Sequence, residues 1–501
     1  MELEFQEKQV EYLNRILCDT VTFEQTADVV VPDFLPDVDR VVDAYGTVLL
    51  RSEECSAGSA AAAGTVQAGV LFVGEDGSVQ SLPVEIPFSV RKDFPKEQED
   101  CTLQCGCRLT AVDARPLNSR KLLVRVSLSC SLTVYAGEVC TLYDLPEPSP
   151  SLQLRKTELP LRMPVGLGEK SFVLNEELEL PAEAPAVERL LRYQCRPRIT
   201  EQNVVGDKAV FKGSLLIHAL YEDGEETLHS RDWNVAFSQF VQLEQELDGG
   251  DMSTDLMLTA AEVEPDSPAG CRRLLFSGNV LAQCTVLGEK KIAFVEDAFC
   301  TDALFTPEFS ACDMVGILDR QTFRETAACV EENTGGQPVD VWACAGEAEN
   351  SRVLGKLTVK QPFHCSCLYY DENGDLQGRL LRPVLTAETA LSDNGSCRVT
   401  EADWGDIFCS AGAGGLEIRV PVNLTLECSA EHHIEGIRKG KIEDLPPEDR
   451  PAPAVILRRT CREEDIWELA KACRTPVRDI LEANGLEGDV VPADTMLLIP
   501  L

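Results

Sequence analysis

Apolar and polar residues alternate over long stretches of this chain, most clearly from Leu122 to Val134. Leu122, Val124, Val126, Leu128, Cys130, Leu132 and Val134 are apolar, with Arg125, Ser127, Ser129, Ser131 and Thr133 between them. Successive side chains of an extended strand point to opposite faces, so the pattern predicts a strand with one face buried and one wet. It returns at Leu416, Ile418, Val420, Val422, Leu424, Leu426 and Cys428, with Glu417, Arg419, Asn423, Thr425 and Glu427 outside. A looser copy runs through Leu274, Phe276, Gly278, Val280, Ala282, Cys284 and Val286. One amphipathic strand used three times predicts one β-domain repeated three times.

A hairpin precedes each copy. Val70 and Phe72 lead through Glu75-Asp76-Gly77 to Val84, Ile86 and Phe88. Phe211, Leu215, Ile217 and Ala219 lead through Glu222-Asp223-Gly224 to Trp233, Val235 and Phe237. Phe363, Cys365, Cys367 and Tyr369 lead to Glu372-Asn373-Gly374. Asp-Gly and Asn-Gly mark tight hairpins because both residue types accept positive φ cheaply. The turn glycines lie 147 and 150 residues apart. The expected repeats span 23–145, 170–300 and 322–437, behind an N-terminal segment 1–22 where Val10, Leu13, Ile16 and Leu17 have helical spacing. Charge and proline in 438–453 predict an extended linker.

In 454–501 the period changes. Ile466, Leu469, Ala470 and Cys473 share one helix face, and the acidic run Glu463-Glu464-Asp465 suits the positive end of that helix. Thr475-Pro476 opens a second helix with Val477, Ile480 and Leu481 as its apolar stripe, and Gly485 ends it. Met496 to Pro500 is a short strand able to pair with Val455 to Leu457. The predicted fold is mainly β: three tandem β-sandwich-like repeats plus a small C-terminal βααβ domain.

Length and charge narrow the function. A chain of 501 residues exceeds one ordinary domain. A net charge of −38 argues against nucleic acid and anionic membranes as partners. No run of apolar residues is long enough to span a membrane. The acidic start Met1-Glu2-Leu3-Glu4-Phe5-Gln6-Glu7 has no basic region before an apolar run, so a cytosolic location is expected. There the 21 cysteines are expected to be reduced. Cys130, Cys284 and Cys428 stand on the apolar strand face where other copies carry Leu or Val, so cysteine reads as a small hydrophobe.

Reactive chemistry is sparse. Gly166-Leu167-Gly168-Glu169-Lys170-Ser171 resembles a phosphate loop, but Glu169 would repel phosphate where glycine must precede the lysine. Gly412-Ala413-Gly414-Gly415 precedes a strand and not the helix that a dinucleotide fingerprint needs. Cys105-Gly106-Cys107 and Cys365-Ser366-Cys367 have neither Cys-x-x-Cys spacing nor paired histidines beside them, and read as core. His364 and Cys365 are adjacent, so a strand points them apart and no dyad forms. Glu431-His432-His433 reads as a solvated turn at a sheet end. With five histidines and no G-x-S-x-G or H-E-x-x-H, no catalytic, cofactor or metal residue is predicted and the protein is expected not to be an enzyme.

The C-terminal segment resembles a LysM domain through Asp465-Ile466-Trp467-Glu468-Leu469-Ala470, Thr475 to Leu486 and Leu497-Leu498-Ile499-Pro500. The β-repeats resemble SPOCS domains of sporulation proteins, best at Val204 to Gly213 leading to Leu220-Tyr221. Three such repeats and one terminal LysM together are similar to the SipL-type spore-coat morphogenetic proteins of clostridia. That resemblance implies a non-enzymatic scaffold of the mother-cell cytoplasm, gathered at the forespore surface. Its LysM domain would engage the ATPase of the coat basement layer or another coat protein. LysM domains elsewhere bind N-acetylglucosamine polymers, so a peptidoglycan binder is the alternative. The family's groove loops correspond to Arg462, Glu463, Glu464 and Asp465, and to Leu486, Glu487, Gly488 and Asp489. The usual Gly-Asp-Thr of the first loop is Glu463-Glu464-Asp465 here, which favours an acidic, protein-facing patch. Trp467 reads either as an anchor for the partner or as core.

Overall fold

The computed structural model describes residues 1–500 except 57, 95–99, 248, 269, 333–335, 391–394, 413–414 and 446–453. The chain opens with β1 (Glu2–Glu4), and the first repeat contains β2 (Gln6–Val30), β3 (Val38–Ser56), β4 (Ser59–Gly74), β5 (Val79–Asp93), β6 (Cys101–Asn118) and β7 (Lys121–Asp144). Its sheets β3-β4-β5 and β2-β7-β6 face each other across one core. The second contains β8 (Leu152–Glu179), β9 (Arg189–Glu222), β10 (Leu228–Leu247), β11 (Asp251–Pro265) and β12 (Arg273–Cys300). Here β9-β10 faces β11-β12-β8.

The third runs through β13 (Ala303–Glu331), β14 (Gln337–Ala345), β15 (Glu349–Val353), β16 (Lys356–Tyr370), β17 (Leu376–Leu381), β18 (Val384–Ala390), β19 (Gly395–Trp404), β20 (Phe408–Gly412) and β21 (Gly415–Asp444). Strand β16 centres one sheet, and β21 centres the other with β13, β19 and β20 beside it. The tail follows as β22 (Val455–Arg459), β23 (Glu464–Asp465), α1 (Ile466–Cys473), α2 (Val477–Asn484), β24 (Val490–Val491) and β25 (Met496–Pro500). The β22–β25 pair joins Val455 to Pro500 in antiparallel register, so the predicted strand–helix–helix–strand order is present.

Every inward residue of the three strand copies is buried. The opposite face is not uniformly wet. Ser129, Thr133, Gln283, Thr285, Thr425, Glu427 and Ser429 are buried too. A neighbouring repeat covers this face, because the three sandwiches close into a ring. At the seam of repeats 1 and 2, Thr285 Oγ1 donates to Gln104 Oε1 at 2.5 Å and Gln283 Nε2 to Glu53 at 2.9 Å. Between repeats 2 and 3, Arg196 pairs with Asp403 at 2.5 Å and Arg320 donates to Ser253 at 3.0 Å. Between repeats 3 and 1, Glu427 accepts from Arg15 at 3.0 Å, and Arg398 holds the same carboxylate at 3.0 Å. Gly378 seals this last seam: a Cβ there would sit 1.5 Å from the Val42 carbonyl oxygen.

The paired strands β2–β7, β8–β12 and β13–β21 run past their sandwiches as three ribbons. Val10, Cys140, Leu142, Leu161, Met163, Ile292, Phe294, Met314 and Ile434 pack them into one stalk. The helical expectation for Val10 to Leu17 is therefore overturned. A bulge between Arg15 and Leu17 shifts the strand by one residue, so even positions face inward before it and odd positions after it. Two strand frames in series imitate helical spacing. Residues 438–444 of the expected linker are the end of β21, where Gly440 and Ile442 still face inward; 446–453 lie outside the described residues.

Two cysteine pairs depart from the expectation of reduced thiols. Cys55 is bonded to Cys101, and Cys140 to Cys312. Neither pair lies on the repeated core face from which that expectation came. Cys55–Cys101 joins the two sheets of repeat 1, and Cys140–Cys312 joins the ribbons of repeats 1 and 3. The hairpin turns also differ from expectation in one respect. The left-handed positions are Gly77, Glu226 and Gly374 rather than three glycines. That moves the repeat spacing of the turns to 149 and 148 residues.

Candidate functional site

The same spacing recurs on the axis of the ring. Arg192 of repeat 2 bonds Asp43 of repeat 1 and Asp340 of repeat 3, which lie 149 and 148 residues away. These three residues are the counterparts of one another: Asp43 stands opposite Leu71 and Asp340 opposite Leu368 in their hairpins. All three side chains are 0–1% exposed. Burial holds the Asp43 carboxyl above the ordinary carboxylate range, while Arg192 beside it pulls the other way. Burial likewise lowers Arg192.

Trp342 Nε1 donates to Asp43 at 3.0 Å and Ser366 Oγ at 2.5 Å. His218 bridges Asp340 at 2.8 Å and Asp232 at 2.6 Å. The rings of Tyr45 and Trp342 lie 5.6 and 6.0 Å from the guanidinium. Leu71, Leu220 and Leu368, one from each repeat, pack beside this node. Breaking a buried charge pair is costly and its geometry is directional, so the node fixes how the repeats sit together. It offers no open position to a substrate.

Next to the node the three repeats line an open cavity of about 1040 Å³. Its wall carries Arg108, Arg196, Asp255, Arg324, Glu401 and Asp403. Both side chains are exposed to the cavity, and the protein walls crowded around them raise Asp255, with Arg108 the leading opposing charge, and raise Glu401, with Asp403 adding to the effect. Arg196 stacks 4.2 Å from the Trp404 ring. Among the described residues, no three His, Cys, Asp or Glu side chains are placed to hold a metal ion.

The motifs singled out in the sequence take these places. Gly166 to Ser171 lies within β8, paired to β12, and forms no loop. Of the 412–415 glycine run, 413–414 lie outside the described residues, and Gly412 and Gly415 pair as the ends of a hairpin. Cys105, Cys107, Cys365 and Cys367 are buried in the sandwich cores. Glu431-His432-His433 is not a turn: β21 continues through it, and His433 pairs with Asp313 at 2.6 Å.

In the tail, the two loops named from the sequence are brought together. Glu464 and Asp465 of β23 pair with Val491 and Val490 of β24, so the two loops lie side by side. The Ile466 amide donates to the Asp489 carbonyl, closing the same junction. Asp465 caps α1 by accepting from the Trp467 amide at 2.8 Å, and its other oxygen pairs with Arg155 of the stalk. Glu464 pairs with Arg458 at 2.8 Å. Trp467 is turned inward. Its ring meets Phe299 edge-on at 5.0 Å, and its Nε1 donates to Asp297 at 2.8 Å. Lys471 reaches the same carboxylate at 2.6 Å. One face of α1 is thus docked on the stalk. Arg462, Glu463, Glu487, Gly488 and Asp489 are exposed, and Leu486 is half-buried.

Comparison with known proteins bears on the middle repeat. Residues 186–265, which include β9, β10 and β11, match the family model described as SipL, SPOCS domain. No curated protein and no solved structure matches the chain. By its middle repeat, the chain is similar to the sporulation-related SipL proteins.

Proposed function

We propose that this protein is a non-enzymatic scaffold of bacterial endospore coat assembly. It works from the mother-cell cytoplasm at the forespore surface. Its βααβ tail is a LysM domain that binds the coat-basement ATPase or another coat protein. The observation that carries this reading is the SipL SPOCS match over residues 186–265. The geometry of the tail supports a protein partner. The face bearing Trp467 is occupied by the stalk, whereas Glu463, Glu487 and Asp489 are exposed on adjoining loops. A patch of that sign suits a basic protein surface and gives orientation and on-rate to the encounter.

The test is binding of the full chain to the purified coat-basement ATPase, compared with a Glu463→Lys, Glu487→Lys, Asp489→Lys variant. A loss of about tenfold or more is expected, since reversing several rim charges acts on association. Equal binding by both proteins would overturn the role of these loops.

A further inference from the structure

Paired sulfur is unevenly distributed around the ring. In repeat 2, Cys195, Cys271, Cys284 and Cys300 are free and each is buried. Repeat 1 has its two sheets joined by Cys55–Cys101, and Cys140–Cys312 clasps it to repeat 3. That clasp lies at the seam that consecutive backbone does not close, since only repeats 1–2 and 2–3 follow one another along the chain. Repeat 3 has thiols in the corresponding role. Cys367 on β16 belongs to one sheet and Cys409 on β20 to the other, and their sulfurs lie 3.4 Å apart.

We propose that Cys409 and Cys367 are a hydroperoxide-oxidisable dithiol whose closure staples the two sheets of repeat 3, as Cys55–Cys101 staples those of repeat 1. This inference is independent of the sporulation reading. The two sulfurs are not equivalent. Cys367 is fully buried, whereas Cys409 is partly exposed on the short strand β20. The hydrogen bond between them holds the Cys409 thiol below its ordinary range and the Cys367 thiol above it. The thiolate is the nucleophile in such chemistry, so Cys409 is the sulfur that attacks the peroxide.

The steps balance. The Cys409 thiolate attacks one oxygen of hydrogen peroxide, giving a sulfenic acid and hydroxide. The Cys367 thiol then attacks that sulfur; the S–S bond forms, the S–O bond breaks, and water leaves. Overall, two thiols and one peroxide give one disulfide and two waters.

A second pair supplies an internal comparison. Cys428 and Cys397 are register partners on β21 and β19, with sulfurs 2.9 Å apart. They are the closer pair, but burial and the neighbouring sulfur push Cys397 up to about 12. Proximity alone predicts that this pair closes first; thiolate character predicts Cys367–Cys409.

The test treats the full chain with hydrogen peroxide, quenches with an alkylating reagent, and maps peptides by mass spectrometry without reduction. The expected first product is a Cys367–Cys409 cross-linked peptide lighter by two hydrogens. A dimedone adduct is expected at Cys409, increased in Cys367→Ser. Oxidation should raise the midpoint of thermal unfolding by several degrees, and Cys409→Ser should remove that rise. Earlier closure of Cys397–Cys428, or a dimedone adduct at Cys367 with none at Cys409, would overturn the proposal. The dimedone measurement on the unsubstituted protein decides the matter even if a serine variant fails to fold.

Discussion

The axis node and the tail loops are both rich in acidic groups, and they use charge in opposite ways. At the axis, Asp43 and Asp340 are sealed from water and committed to one guanidinium. In the tail, Glu463, Glu487 and Asp489 remain exposed. Buried charge is costly to desolvate and so specifies a single arrangement; exposed charge is cheap and free to meet a partner. The ring is therefore the part built for permanence, and the tail loops are the part whose charge stays in water.

The sharpest way to break this contrast is to remove the cation from the node. Arg192→Ala would leave two carboxylates buried without their counter-ion, and a loss of about 3–5 kcal/mol is expected. Urea unfolding measures it. Glu487→Ala, by contrast, should change stability by no more than about 0.5 kcal/mol. Similar costs for the two substitutions would erase the distinction.

An intermediate effect is expected where the tail meets the stalk. Trp467→Ala removes the ring packed on Phe299 and the donor to Asp297. Truncation of a buried aromatic costs about 3 kcal/mol or more, borne here by the docking of the tail. Hydrogen exchange should quicken across α1 and α2 while the ring stays protected; faster exchange throughout the ring would show that the two regions are one cooperative unit.

The smallest effect concerns a surface pair. Lys92 on β5 bonds Asp19 on β2 at 2.5 Å and holds its carboxyl below the ordinary range. The folded pKa is thus below the unfolded one, so the stabilisation is present above the unfolded pKa and disappears as pH falls through the folded value. Both side chains are more than a third exposed, which limits the effect to about 0.5 kcal/mol. The difference in stability between the wild type and Lys92→Met should shrink as the solution is acidified; a constant difference would show that charge is not its source.

Much of the fold was legible in the chain. The inward residues of all three long strands follow from alternation alone, because a strand has one period and one buried face. The βααβ tail was legible from the change of period, although Thr475 does not cap α2: Pro476 stands at the N-cap and the Thr475 hydroxyl donates to the Pro500 carbonyl. Strand β2 was not, because its bulge resets the frame near Ile16. Ser129, Thr133 and Glu427 read as solvent-facing because nothing in a single strand says that a neighbouring copy will cover it. The axis triad did leave a trace: Asp43, Arg192 and Asp340 obey the repeat spacing, but their different chemistries hide the equivalence. For the tail, the closeness of its two loops follows from the strand–helix–helix–strand order. Which way Trp467 faces depended on Phe299 and Asp297, over 160 residues away in the chain.

The triad has a consequence for which repeats can share a ring. Three copies of the first repeat, or of the third, would crowd three carboxylates at the centre; three copies of the second would crowd three guanidiniums. Either homotypic trimer meets like-charge repulsion in a dry interior. One guanidinium between two carboxylates leaves less net charge at the centre than any homotypic set, so a mixed ring is favoured over one built from three copies of the same repeat.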